Sequence, residues 1–105
     1  MNNIELAEFL KENKDKIKEK AKEALELTIK AKENNEKSYF IVVILEDGSC
    51  FISKNHENIS YEAKFFEFLS FNSQSLNLDF FKKNFDYLFN NIWFNMFILY
   101  LKESD

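Results

Sequence analysis

The sequence predicts an α+β domain: an N-terminal helix, a three-stranded antiparallel β-meander and a C-terminal helix packed on the sheet. Three observations predict it. Apolar residues near the start recur at helical spacing, an Asp-Gly pair separates two β-rich runs, and an almost continuous apolar stretch, NIWFNMFILYLK, lies near the end. A chain of 105 residues is long enough for one hydrophobic core but not for two. We therefore expect a single domain over residues 1–105.

The first element is a helix over residues 3–33. Asn2 or Asn3 can cap it, and Glu5 stands three residues after Asn2 in the spacing of a capping box. The apolar stripe is thin between Leu10 and Ala24, so a break near Asn13 is an alternative to one continuous helix. Lysines and acidic residues alternate here, and their charges cancel within residues 1–37. The helix therefore lacks the basic stripe typical of nucleic-acid binding.

The next element is a β-hairpin formed by SYFIVVIL and CFISK around EDGS. Asp-Gly is typical of a type I′ turn, which needs positive φ at both central residues. With Asp47 and Gly48 at the turn, the predicted cross-strand pairs are Leu45 with Cys50, Ile44 with Phe51, and Val43 with Ile52. The first strand is apolar on both faces. This pattern indicates a central strand, covered above and below or paired on its second edge.

A third strand is predicted at residues 65–71. The spacing of apolar residues in residues 61–72 fits either a helix or a strand. A helix would place Tyr61, Phe65, Phe68 and Leu69 on one face. The run FFEFLSF has high β propensity and lacks good helix formers, which favours the strand.

The last element is a helix over residues 79–102. At 100° per residue, a polar line forms from Asn84, Asn91, Asn95 and Lys102. At the same spacing, apolar residues occupy much of the rest of the helix surface: Phe81, Phe85, Leu88, Phe89, Ile92, Trp93, Met96 and Leu99. A strand over residues 92–101 is the rival, because the segment is rich in aromatic and branched residues.

This apolar helix predicts either a Phe-rich core or a protein interface. Asparagines interrupt it, and its unbroken apolar part is too short to span a membrane. It nevertheless carries more apolar surface than one small sheet can cover. The candidate partner-binding residues, on the last helix and the third strand, are Trp93, Phe94, Phe97, Tyr100, Phe65 and Phe68.

No motif in the sequence predicts a catalytic, metal or cofactor site. Cys50 and His56 are a conceivable nucleophile pair, but a buried structural thiol is the common outcome for a cysteine on a hairpin strand, and a solvated loop residue is the default for His56. One glycine cannot build a phosphate-binding loop. The single cysteine and the absence of an apolar leader favour the cytoplasm. We expect a protein that is not an enzyme, with no cofactor and no metal.

Two segments, FLKENKDKI and EDGSCFISKNHENISYEAKFFEFLSF, resemble small proteins of phages and mobile elements from AT-rich bacteria. The lack of arginine and proline and the excess of lysine, asparagine and phenylalanine fit such a genome. The resemblance carries no functional residues across. It implies a small inhibitor of the anti-defence type, such as an anti-CRISPR protein, that binds a larger host protein or ribonucleoprotein complex. The alternative is a homodimeric regulatory protein that binds nucleic acid weakly through its lysine-rich first helix.

Overall fold

The fold is α+β, as predicted, with helices at both ends of a three-stranded antiparallel sheet. The computed structural model describes residues 1–59 and 65–104, excluding the side chains of residues 65 and 66. Its elements are α1 (Asn3–Glu12), α2 (Lys14–Glu33), β1 (Tyr39–Leu45), β2 (Cys50–Lys54), β3 (Phe65–Asn72), α3 (Leu78–Lys83), α4 (Phe85–Leu88), a π-helical turn (Phe89–Trp93) and α5 (Phe94–Glu103).

The N-terminal helix is divided at Asn13, where the sequence allowed a break. The Asn13 side-chain amide donates to the carbonyl of Phe9 at 2.8 Å. The capping box at the start of α1 is confirmed. The Asn2 side chain accepts from the backbone N–H of Glu5 at 2.8 Å, and the Glu5 carboxylate accepts from the backbone N–H of Asn2. These bonds satisfy N–H groups that a helix start leaves without a partner.

The sheet has the order β2-β1-β3, which confirms β1 as the central strand. The third strand is also confirmed: residues 65–72 pair with β1 and are not helical, whereas residues 61–64 lie outside the described residues. Phe40, Val42 and Ile44 of β1 join the core beneath the helices. Ile41 and Val43 are also fully buried, and alternation along a strand places them on the opposite face. This burial on both faces explains why β1 is apolar throughout.

The hairpin register differs from the predicted one by one residue. The observed partners are Ile44 with Cys50, Val43 with Phe51, and Val42 with Ile52. The reason is a three-residue loop in place of the two-residue turn: Gly48 N–H donates to the Leu45 carbonyl, and Leu45 N–H donates to Ser49. Gly48 alone in this loop has positive φ, at 88°. A turn followed by one left-handed glycine is the usual three-residue hairpin.

The C-terminal segment is helical, so the strand alternative for residues 92–101 is wrong. It is not one regular helix over residues 79–102, however. It breaks at Asn84, and at the π turn the backbone N–H of Phe94 bonds to the carbonyl of Phe89, five residues earlier. Each residue added to a turn rotates everything after it by about 100°. The apolar residues that face the core therefore do not follow one constant helical spacing along the segment.

Candidate protein-binding surface

Two of the six predicted partner-binding residues are buried, and two more are partly buried. Phe94 and Phe97 are buried, Trp93 and Phe68 are partly buried, and Tyr100 is exposed. Phe65 is the first residue of β3, and its side chain lies outside the described residues. In the chain by itself, therefore, the Phe94 and Phe97 rings are not available as anchors for a partner.

Phe68 stands at the centre of an aromatic cluster that joins β3 to the C-terminal helices. Its ring centroid lies 4.9 Å from that of Phe97, 5.7 Å from that of Phe89 and 6.2 Å from that of Phe94. The rings of Phe89 and Phe94 meet that of Phe68 edge to face and the ring of Phe97 is tilted against it, and such orientations at these separations are favourable for aromatic pairs. Such pairs add about 0.5–1.5 kcal/mol each beyond the burial of their area. The cluster therefore holds the sheet and the helices together.

Trp93 makes a second set of ring contacts. Its indole lies 5.5 Å from Phe81, 5.8 Å from Phe71 and 6.0 Å from Phe85, measured between centroids. These contacts join β3 to α3 and α4. Trp93 nevertheless remains partly exposed, and it lines a groove at the surface.

Besides Phe80 and Tyr87, which precede the π turn, the exposed apolar surface of the segment is the face of the helix that the π turn leaves outside. Phe89 and Phe94 both reach the core across the five-residue spacing, and Phe97, Ile98 and Leu101 follow them inward. The side chains left outside are large. We call them the α5 seam: Ile92 (37% exposed), Met96 (65%), Leu99 (55%) and Tyr100 (56%).

Sequence reasoning at one constant period missed this seam. It grouped Met96 and Leu99 with Phe85 and Phe89, which the structure buries. The signal was present as the spacing of five between Phe89 and Phe94, which an uninterrupted α-helix would place on different faces. Within α5 itself, residues 96, 99 and 100 lie on one side at the usual three- and four-residue intervals.

Two grooves flank the α5 seam. The first, the β3 groove, has a volume of about 320 Å³ and is lined by Glu67, Phe68, Leu69, Trp93, Met96, Phe97 and Tyr100. The second, the lysine groove, lies between the N-terminal helices and α5 and has a volume of about 420 Å³. It is lined by Lys11, Lys14, Phe94, Asn95, Ile98, Leu99 and Lys102. Met96 lines the first groove, which contains one acidic residue, Glu67, and Leu99 lines the second, which contains three lysines.

Glu8 links α1 to the end of α5 beside the lysine groove. Its carboxylate lies 3.2 Å from the ammonium of Lys102 and 3.4 Å from that of Lys11. The hydrogen bond from Lys102 and the charge of Lys11 lower the pKa of Glu8 below its usual value. Across the groove, the Lys14 ammonium lies 5.4 Å from the centroid of the Phe94 ring, a cation–π distance.

Cys50 and His56 do not come together as a catalytic pair. Cys50 packs toward the core on the helix side of the sheet, and its burial raises the pKa of the thiol. His56 instead bridges two other side chains: its Nδ1 lies 2.9 Å from the Tyr39 hydroxyl, and its Nε2 contacts the Glu67 carboxylate. Tyr39 and Glu67 belong to the face of the sheet away from Cys50, because side chains alternate along a strand.

Within residues 1–59 and 65–104, no three His, Cys, Asp or Glu side chains are grouped so that they could hold a metal ion. None of the helices in that part of the chain is both long enough and apolar enough to cross a membrane. Comparison with protein-family models, with curated proteins and with solved structures gave no significant match.

Proposed function

We propose that this protein is a non-catalytic binding module whose α5 seam docks onto another protein. The observation that carries the proposal is the exposure of Met96, Leu99 and Tyr100 side by side on a helix that is otherwise well packed. Fully burying one such side chain contributes about 1.5–3 kcal/mol. A seam of this kind, with grooves on both sides, gives a partner the central apolar contacts on which protein interfaces depend.

We infer further that the module acts stoichiometrically, as an inhibitor or adaptor of a larger host complex in the cytoplasm of a low-GC bacterium. The support is the small size of the chain, its composition and the resemblance of two of its segments to small phage and mobile-element proteins, a resemblance that implies the anti-defence class, such as anti-CRISPR proteins. Binding alone suffices for such a role, because a bound partner is blocked by occupancy.

Binding of nucleic acid through the first helix gains no support from the geometry. Lys18 lies 3.0 Å from the Asp86 carboxylate, and Lys20 lies 3.9 Å from that of Glu23. A phosphate backbone approaching α2 would therefore meet paired charges of both signs.

The test is a comparison of two variants in affinity capture from a lysate of a low-GC bacterium. The seam variant carries Met96→Ser and Leu99→Ser. The matched control is Leu76→Ser, which changes an apolar side chain that is 93% exposed and lies before α3. We expect the wild type and the control to retain the same protein in equimolar amounts and the seam variant to lose it. Circular dichroism should first show that all three proteins are folded.

Retention of the same protein by the folded seam variant would refute the role of the seam. Light scattering at several concentrations distinguishes self-association. A wild-type dimer that becomes a monomer in the seam variant, with no other protein captured, would assign the seam to a second copy and overturn the proposed function.

A further inference from the structure

We propose that the lysine groove receives an amphipathic helix whose apolar face is flanked by acidic residues. This inference rests on the proposed function and specifies the partner's chemistry. The helix would lie between the N-terminal helices and α5, with its apolar side chains against Leu99, which is 55% exposed, and over Phe94 and Ile98, which line the groove but are nearly buried.

The charges around the groove select an acidic partner. Lys11, Lys14 and Lys102 stand around an apolar floor, and no aspartate or glutamate is found among the described residues that line it. Glu8, just outside the lining, is shared between Lys11 and Lys102. Lys14 rests over the Phe94 ring. Carboxylates on an incoming helix would meet all three ammonium groups at the edge of a desolvated apolar contact, where ion pairs are stronger than in open solvent.

The walls of the groove favour a helix over an extended segment. Helices form both walls, and the backbone groups within a helix already bond to one another. The Asn95 side-chain amide, which lines the groove, donates to the carbonyl of Asn91. A strand laid here would find no ladder of backbone partners, whereas a helix satisfies its own backbone hydrogen bonds.

A second copy of this chain does not provide such a helix. Its most acidic short helix, α1, carries Glu5, Glu8 and Glu12, but its apolar face packs on its own core. The buried residues of that face are Leu6, Ala7 and Leu10. The exposed apolar side chains of α1, Ile4 and Phe9, are five residues apart and so lie on different sides of the helix. The net charge of −4 also makes two copies repel each other. The occupant is therefore a different protein.

The experiment uses the full chain and two synthetic helical peptides with the same leucine face. One peptide carries glutamates on both flanks and the other carries lysines. Isothermal titration calorimetry at low salt should give the glutamate peptide a Kd at least about tenfold lower than that of the lysine peptide, the sum of several modest ion pairs. This preference should shrink in 0.5 M NaCl, because salt screens exposed charges.

Two triple variants locate the effect. The groove variant combines Lys11→Gln, Lys14→Gln and Lys102→Gln, and it should abolish the preference for the glutamate peptide. The matched control, Lys22→Gln with Lys30→Gln and Lys37→Gln, removes the same charge from exposed lysines that do not line the groove, and it should keep the preference. Leu99→Ser should weaken both peptides, because they share the apolar contact.

Four outcomes would each overturn this inference. They are equal affinities, tighter binding of the lysine peptide, no binding of either peptide at millimolar concentration, and an unchanged preference in the groove variant. The proposed function fails separately. If the seam variant loses its captured partner while the peptides show no charge preference, only the acidic helix is refuted. If the folded seam variant keeps the partner, the docking role itself is refuted.

Discussion

Gly48 shows how one residue sets the geometry of the hairpin. Its φ of 88° lies in the left-handed region, which a residue with a side chain adopts only at a cost. The Asp47 carboxylate fixes the loop further by accepting from the Ser49 hydroxyl at 2.6 Å and from its backbone N–H at 2.9 Å. These two hydrogen bonds lower the pKa of Asp47. The loop is therefore determined by neighbouring residues, without help from the core.

Replacing Gly48 with alanine should destabilise the protein by about 1–3 kcal/mol. The added Cβ would be strained by the positive φ and would lie 2.6 Å from Cδ1 of Phe9. Urea denaturation of Gly48→Ala in the wild-type and Phe9→Ala backgrounds separates the two causes. If the clash with the Phe9 ring matters, Gly48→Ala should lower the free energy of unfolding less in the Phe9→Ala background than in the wild type. If backbone strain alone is responsible, the loss should be equal in the two backgrounds. An unchanged unfolding free energy would contradict both.

The π turn determines which face of α5 is buried. It adds one residue between Phe89 and Phe94, and the rings of these two residues stack with centroids 5.4 Å apart. In a regular α-helix, a spacing of five residues would turn Phe94 away from Phe89. The turn thus brings the second half of the segment into register with the core, and it also leaves Met96 and Leu99 outside.

Deleting Asn91 should be tolerated, because it removes the extra residue and lets the turn become regular α-helix with the same faces buried. Asn91 is exposed, and its side chain bonds only to the carbonyl of Tyr87 among the described contacts. Deleting Asn95, an exposed asparagine of α5, is the control. It would rotate residues 96–103 by about 100° and expose the core. Thermal unfolding should therefore show a small change for the first deletion and a large loss of stability for the second.

The bridge between α1 and α5 should depend on pH. The pKa of Glu8 is lowered in the folded state by Lys102 and Lys11, so ionised Glu8 stabilises the fold above its usual pKa of 4.5. That contribution is lost as the pH falls through the lowered value. Glu8→Gln should therefore lower the Tm slightly at pH 7, and the difference from wild type should vanish well below pH 4.5.

The control for the pH prediction is Glu26→Gln, which removes an exposed carboxylate on α2. It should give no comparable difference at pH 7. A Tm deficit of Glu8→Gln that persists unchanged in acid would show that packing, and not the charge of Glu8, is responsible.

At the scale of the whole molecule, one hydrophobic core connects the elements. It contains residues from α1, α2, β1, β3 and the C-terminal helices, including Leu10, Leu25, Val42, Phe71 and Leu101. These elements therefore share one core. Such a domain is expected to unfold in one cooperative step.

Trp93, the only tryptophan, gives a direct test of this cooperativity. Its fluorescence reports the packing of the C-terminal helices on β3, whereas far-UV circular dichroism reports helix throughout the chain. We expect the two signals to give the same midpoint in urea. Separate midpoints would mean that the C-terminal segment unfolds independently of α1 and α2.

Local patterns in the sequence were sufficient for much of the fold. The capping box at Asn2 and the strand at residues 65–71 depend on neighbouring residues and were predicted, and the break at Asn13 was an alternative that the thin apolar stripe left open. The hairpin was predicted with the wrong register, since Asp-Gly fits both a two-residue turn and a three-residue loop. Of the predicted partner-binding residues, the structure leaves Tyr100 well exposed and buries Phe94 and Phe97.

The sequence by itself determined the hairpin strands, the central position of β1 and the apolar excess of the last segment, because these follow from composition and short-range spacing. It left helix or strand open for residues 92–101. Only the tertiary structure decided which side of that segment is outside. The reason is that the π turn and the break at Asn84 change the helical phase, and their positions are set by how Phe85, Phe89 and Phe94 pack against Phe68 and its neighbours. The α5 seam, and with it the candidate binding surface, is a consequence of that packing.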